Sequence, residues 1–248
     1  MRILIISQYF YPENFKINDV ALTLKEKGYE VLLLDSPIIS HLIQKLETSN
    51  EKIKFTRVDA DVVDKLIPLN LYAKSKNDFD NFVLKQINTP PAWFGLKFFN
   101  VFGFDESKKA NMSSIVYQAF NKINASNEMY LFKSYNQDFE DGFQERDFVY
   151  IDDVINILFF LMNNTRSGIY NLGSGESTSF FTLIDNVFKS MQINPNIKFI
   201  EMPFGLRDKY QYSTRADLKK IRSMGYKKSF VKISDAVEDY VSNYLILK

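Results

Sequence analysis

Glycine is scarce in this chain, and its placement limits what the N-terminal part can be. Of 248 residues nine are glycine: Gly28 is the first, Gly95 the second, and the other seven follow. A loop that cradles nucleotide phosphates needs glycines where backbone amides approach the ligand. No such loop fits before Gly28 or between Gly28 and Gly95. The usual glycine-rich cradle at the start of a dinucleotide-binding fold is therefore excluded.

The pattern around that gap is nevertheless α/β. Arg2–Ser7 reads as a buried strand, 16–27 as a helix stopped by Gly28, and Tyr29–Asp35 as a second strand. Strand–helix–strand in this order implies a parallel sheet. Residues 38–48 read as a helix and 53–58 as a strand. A strongly amphipathic helix follows over about 71–88, with Phe79, Phe82, Val83 and Ile87 on one side, and Pro90–Pro91 end it. Strands are expected at 92–99, 168–174 and 196–201. Helices are expected near 112–125, 152–163, 178–191, 215–224 and 233–247, with a polar, acidic loop at 134–145.

Several kinds of chemistry are excluded by composition. There is no cysteine, so disulfides, thiolate nucleophiles and zinc–thiolate sites are absent together. His41 is the one histidine and reads as an ordinary partly buried residue. Thirty-one basic and thirty acidic residues nearly cancel, leaving no field that favours nucleic acid or an anionic membrane. The apolar run 155–162 is far short of the roughly 20 residues of a membrane span. MRILIIS is too short for a signal-peptide core, so a cytoplasmic location is expected. Asp59-Ala60-Asp61 has the spacing of a metal-binding carboxylate pair, but Asp78-Phe79-Asp80 repeats it on a helix, and no metal site is expected. Asp152 and Asp153 read as acids at a helix start.

Tyr72 and Lys76 lie four apart on the expected helix and so share a face. An ammonium beside a phenol favours the phenolate, and the helix N-terminus acts in the same direction. The pair could serve as an acid/base. The spacing alone carries little, because Tyr244–Lys248 repeats it at the other end of the chain.

The surrounding text is more specific. LNLYAKSKNDFDNFV (69–83), LKFFNVFG (96–103), QERDFVYIDDV (144–154) and SGIYNLGSGESTS (167–179) resemble, in order and spacing, the extended short-chain dehydrogenase/reductase superfamily. Within it, ESKKANMSS (106–114), MYLFKS (129–134) and KYQYSTRADL (209–218) resemble the ADP-glyceromanno-heptose 6-epimerases. The likeness covers about 66–248. It implies a truncated Rossmann-like parallel sheet over 1–103, lacking the glycine-rich loop. A smaller C-terminal α/β substrate-binding part would occupy 104–248, with the strand at 168–172 returning to the main sheet.

The resemblance also implies an activity. Bound NADP, or NAD in its place, takes a hydride from the sugar and returns it to the opposite face. ADP-D-glycero- and ADP-L-glycero-manno-heptose are thereby interconverted at C6. Tyr72 matches the family's acid/base, and Lys76 the lysine that also holds the cofactor ribose. Lys109 matches the second acid/base, which also meets the cofactor, with Lys108 as its neighbouring alternative. Val101 falls at a cofactor contact. Asn100, Asn111, Gln118, Phe132, Arg146 and Tyr210 fall where the family meets the nucleotide sugar. The expected partner is that nucleotide sugar, and a homo-oligomer is admitted.

The opening residues depart from this pattern. The turn SQYFYPENFKIND (7–19) has no glycine, and MRILIISQYFYPEN resembles the start of a two-Rossmann-domain glycosyltransferase over about 35 residues. Five strand–helix units precede the tyrosine helix in the family, roughly 130 residues at about 25–30 each. Tyr72 has 71 residues before it. Two readings stand beside the epimerase: a remnant that binds a nucleotide sugar or a partner chain without turnover, and, with less support, a transferase.

Overall fold

A computed structural model describes residues 2–6, 30–34, 71–87, 89, 91–104, 106–207 and 210–247. The expected helices at 16–27 and 38–48, the strand at 53–58, the turn at 7–19, His41, and Asp59 and Asp61 lie outside those residues. The chain divides into two compact units, 1–97 with 161–170, and 98–160 with 171–248.

In the first unit β1 (Arg2–Ile6) and β2 (Glu30–Leu34) pair in parallel, with Ile3 opposite Val31 and Ile5 opposite Leu33. Both are short, mainly apolar runs, the composition common in parallel strands. α1 (Leu71–Lys85) follows, and β3 (Phe94–Phe98) runs beside a later strand, β8 (Gly168–Leu172). Leu84 of α1 and Ile169 of β8 form a small buried cluster against Trp93. Gly95 lets the two strands approach: a Cβ there would lie 3.1 Å from Ile169 Cγ1. Asp80, almost completely buried, is ion-paired with Lys97 of β3. That partner explains an acid on the inner side of α1, since a buried charge is tolerated when paired.

In the second unit β4 (Asn100–Phe102) pairs in parallel with β7 (Phe148–Tyr150), in the register Asn100–Phe148 and Phe102–Tyr150. A 3-10 turn (Ser107–Met112) leads into α2 (Ile115–Ser126), and β5 (Met129–Phe132) pairs in parallel with β10 (Ile197–Ile200). Two short strands, β6 (Glu145–Arg146) and β9 (Thr178–Ser179), form an antiparallel pair. Helices α3 (Ile151–Met162) and α4 (Phe180–Ser190) begin directly after β7 and β9. α5 (Phe204–Arg207), α6 (Lys219–Ser223) and α7 (Ile233–Tyr240) complete the unit, and α7 continues into a π-helical turn over Val241–Leu245.

The core of this unit is helical. Val116, Ala119 and Ile123 on α2 face Leu183, Ile184 and Val187 on α4, which also packs on α7 through Val237. These apolar positions recur at three- and four-residue spacing, as packed helices require. Serines start both central helices: Ser114 Oγ accepts from Tyr117 N–H at 3.2 Å and Ser179 Oγ from Thr182 N–H at 3.0 Å. Two segments leave their helices through left-handed residues that are not glycine, Asn127 at φ 54° and Gln192 at φ 57°.

The expected helix at 215–224 shrinks to Lys219–Ser223. Thr214–Ala216 is irregular instead, with the Thr214 hydroxyl and carbonyl and the Ala216 N–H serving as hydrogen-bond partners for Asp147 and Ser177. Among the described residues no helix is long and apolar enough to cross a membrane.

Candidate functional site

Tyr72 and Lys76 both lie on α1, one helical turn apart, in the first unit. The side chain of Lys76 is half-buried, and that of Tyr72 lies outside the described residues. The remaining residues singled out from the sequence belong to the second unit. Asn100 and Val101 stand on β4, where the Asn100 N–H donates to the Asp147 carbonyl at 3.0 Å. Lys109 and Asn111 share the 3-10 turn before α2; Lys109 is half-buried, and the Asn111 side chain lies outside the described residues.

Gln118 is exposed on α2, and its amide donates to the Ser113 carbonyl at 2.7 Å. That bond ties it to the entry of its own helix. Phe132 closes β5 opposite Ile200, and its carbonyl accepts from Gly142 N–H at 3.1 Å.

Arg146 and Tyr210 are brought together. Arg146 sits on β6 opposite Thr178, and its guanidinium lies 5.1 Å from the Tyr210 ring and 5.6 Å from the Phe180 ring. Guanidinium planes over aromatic faces are held by cation–π attraction. Nη1 donates to the Glu145 carbonyl at 2.7 Å. Among the described residues no carboxylate pairs with Arg146. Burial pulls its pKa down from the ordinary arginine value, with Tyr210 opposing, and burial pushes the Tyr210 phenol up, with Arg146 opposing. Arginine remains charged throughout the working pH range. A half-buried cation held by rings, with its fork not consumed by an acid, suits a phosphate or a sugar hydroxyl.

The aromatic row continues beyond Tyr210. Tyr212 meets it edge-on at 5.3 Å, stacks at a tilt on Phe139 at 5.4 Å, and accepts from Tyr135 N–H through its hydroxyl at 3.0 Å. Its carbonyl accepts from Glu145 N–H at 2.7 Å, so the Tyr210 segment is fastened to the strand that carries Arg146.

One residue behind Arg146, Asp147 is completely buried and binds four donors. Oδ1 accepts from Ser174 N–H at 2.7 Å and Ser174 Oγ at 2.8 Å; Oδ2 accepts from Gly175 N–H and Ala216 N–H, each at 2.9 Å. Four donors match the acceptor sites of an ionised carboxylate. A single side chain thus fastens the turn after β8 and the segment 214–216 to the site strand. Gly173 makes the approach possible, since a Cβ there would lie 2.6 Å from the Ala216 Cβ and 2.7 Å from Asp147 Oδ2. The sequence reading passed over Asp147. The available signal was the glycine–serine–glycine turn 173–175, whose bare backbone suits an approaching acceptor.

A cleft of about 860 Å³ opens between that turn, the 215–219 segment and the loop 229–233. None of the residues assigned by resemblance lines it; Arg215, Lys219, Arg222 and Lys232 do. Among the described residues no group of three or more acids or histidines could hold a metal ion. Toward a nicotinamide nucleotide, α1 offers the half-buried ammonium of Lys76, one turn after Tyr72, a donor suited to a ribose hydroxyl. The segment expected to meet the pyrophosphate, 7–19, has no glycine.

Comparison with known proteins adds a family and a fold. Residues 51–173 match the NAD dependent epimerase/dehydratase family. The chain is 44% identical over 195 residues to an ADP-L-glycero-D-manno-heptose-6-epimerase of Fusobacterium nucleatum subsp. nucleatum, covering 76% of this chain and 59% of that protein. It is 37% identical over 182 residues to a protein of the same name from Nitratidesulfovibrio vulgaris, covering 73% and 56%. The chain therefore spans less than two thirds of the length of either relative. In fold it resembles the Helicobacter pylori ADP-L-glycero-D-manno-heptose-6-epimerase, with a TM-score of 0.67 at 21% identity over 98% of this chain and 95% of that one. A Bacillus cereus UDP-glucuronic acid 4-epimerase, solved with UDP-glucuronic acid and NAD, gives 0.63 at 16% identity over 100% and 99%. The architecture is that of the Rossmann-like epimerases.

Proposed function

We propose that this chain, whose residues 51–173 match the NAD dependent epimerase/dehydratase family, is a nucleotide-sugar epimerase acting on ADP-glycero-manno-heptose at C6. The observation that carries the reading is the 44% identity over 195 residues, 76% of this chain, to a heptose epimerase. What the geometry adds is Arg146, held between Phe180 and Tyr210 with its charge unclaimed by any described carboxylate. That arrangement suits the diphosphate of a nucleotide sugar.

In this reading a nicotinamide nucleotide, NADP in preference to NAD, supplies reversible hydride acceptance, so the reaction is redox-neutral overall. Tyr72 takes the proton from the reacting hydroxyl and returns it. Lys76, one turn on, favours the phenolate by its charge and holds the ribose. Lys109 serves as the acid/base for the other face of the sugar. Arg146 and Tyr210 hold the nucleotide end, and Asn100, Asn111, Gln118 and Phe132 line the sugar. Val101 lies against the cofactor. Two acid/base groups addressing opposite faces suit an inversion at carbon.

A second reading is favoured by one observation, the absence of glycine from the turn 7–19. In it the chain binds a nucleotide sugar, or a partner chain, without turning substrate over.

Titration with NADP(H) and a C6-epimer interconversion assay on ADP-heptose separate the two. The epimerase reading expects saturable NADP binding and a loss of about 100-fold or more in turnover for Tyr72→Phe. Nucleotide-sugar binding with no detectable NADP binding would leave only the second reading. Better turnover of a UDP- or GDP-activated sugar would overturn the heptose assignment and keep the epimerase.

A further inference from the structure

The stretch that carries Lys109 and Asn111 is closed at both ends by one side chain. Glu106 is 2% exposed and its carboxylate points back into its own loop. Oε1 accepts from Gly103 N–H at 3.1 Å, just past the end of β4. Oε1 also accepts from Ser114 Oγ at 2.8 Å, and Oε2 accepts from Ser114 N–H at 2.6 Å. Ser114 is the residue that starts α2, its Oγ accepting in turn from Tyr117 N–H. The carboxylate therefore bridges the exit of the strand that carries Asn100 and Val101 and the entry of the next helix. The main chain of Glu106 adds a fourth link, its carbonyl accepting from Lys109 N–H at 3.0 Å.

Charge at this point is felt beneath the loop as well. The Tyr240 phenol, packed under Phe102, is pushed far above its ordinary value, first by burial and then by the Glu106 carboxylate. Gly103, at the strand end of the loop, admits no side chain. Its φ is +150°, and a Cβ there would lie 2.3 Å from Ile151 Cγ2. The 3-10 turn over Ser107–Met112 thus lies between two anchors bonded to one carboxylate, and Glu106 is the group that holds it.

We propose that Glu106 is a positioning residue, whose carboxylate fixes the 3-10 turn and so sets where the Lys109 ammonium meets the bound sugar. The proposal rests on Lys109 as the second acid/base. It needs a carboxylate in particular: glutamine has the same shape but one acceptor oxygen, so its amide would turn N–H toward an N–H or O–H donor. Aspartate is one methylene short of both anchors.

The test uses the full chain as wild type, Glu106→Gln, Lys109→Met and the double variant. Amide hydrogen exchange over 107–113 and steady-state epimerisation are measured on each. In Glu106→Gln, exchange at 107–113 rises at least about tenfold while α4 and β7 keep their protection. Turnover falls by about 100-fold, the loss expected from misplacing a reacting group by an ångström. KM for the sugar stays within about threefold, and the double variant is no slower than Lys109→Met alone. Unchanged exchange at 107–113 in folded Glu106→Gln overturns the proposal. So do fully additive losses in the double variant, or a rise confined to KM. If Glu106→Gln does not fold, Ser114→Ala, which removes one of the three carboxylate bonds, is held to the same outcomes. If wild type turns over no heptose, the functional reading falls, and the exchange measurement alone decides whether Glu106 holds the turn.

Discussion

Asp147 and Asp153 are six residues apart, one just before β7 and one in the first turn of α3, and each is at most 3% exposed. Their surroundings differ in one respect, the number of donors. Asp147 receives four, from Ser174, Gly175 and Ala216. Asp153 receives one, the Val231 N–H at 2.9 Å. Burial pushes the Asp153 carboxyl above its ordinary value; the Val231 bond and Lys228 oppose this, and the neighbouring charge of Asp152 adds to it. Equal burial thus gives a clamp that joins three segments in one place and, in the other, a carboxyl held above its ordinary value. Donors, not depth, decide which role a buried acid takes.

The largest test of this contrast is at Asp147. Asp147→Ala strands four donors inside the second unit and is expected to cost about 4 kcal/mol or more in urea unfolding at pH 7. Asp147→Asn keeps the shape with one acceptor oxygen and should cost about 2 kcal/mol. A loss below 1 kcal/mol in the alanine variant would break the comparison. Gly173→Ala should come next, at about 1–3 kcal/mol, because its methyl must displace either Ala216 or the carboxylate. An unchanged midpoint there would mean the turn is looser than its distances imply.

At Asp153 the direction matters more than the size. Its folded pKa lies above the unfolded one, so the stability it contributes is fully present below the ordinary carboxyl value of about 4. That contribution is lost as pH rises through the raised folded value. Asp153→Asn, which can still accept from Val231, should remove this fall and be no less stable than wild type at pH 7. Parallel stability–pH curves for the two proteins would contradict the assignment. The smallest effect is expected at Glu201, whose exposed carboxylate gathers Lys133 at 2.7 Å, Arg207 at 3.6 Å and the Tyr135 hydroxyl. Glu201→Gln should leave the unfolding midpoint unchanged at physiological salt, since exposed pairs are screened. A clear shift would show that acids outside the core also hold the unit together.

Much of this architecture was legible in the sequence. The Tyr72–Lys76 helix, the strand ending at Phe98, the helix that begins at Ile151 and the β8 strand follow from periodicity and from glycine and proline stops. Resemblance supplied the candidate site residues, and the structure brings two of them, Arg146 and Tyr210, together. Asp147 and Glu106 were not legible. Their partners are backbone amides up to 69 positions away, and an amide leaves no mark in a sequence. In the string ESKKANMSS, Glu106 reads as the first of several surface charges. The helix expected at 215–224 is shortened to Lys219–Ser223 for the same reason, the Ala216 N–H being given to the distant Asp147. Asp153, read as a helix-start acid, does stand in the first turn of α3, but its carboxylate serves the distant loop at Val231.

The left-handed residues after α2 and α4 leave room for improvement. Asn127 and Gln192 occupy a conformation that glycine adopts without strain, and asparagine tolerates it better than glutamine. Position 192 therefore carries the larger backbone strain of the two helix exits, and glycine there would relieve it while touching neither the Asp147 nor the Glu106 carboxylate.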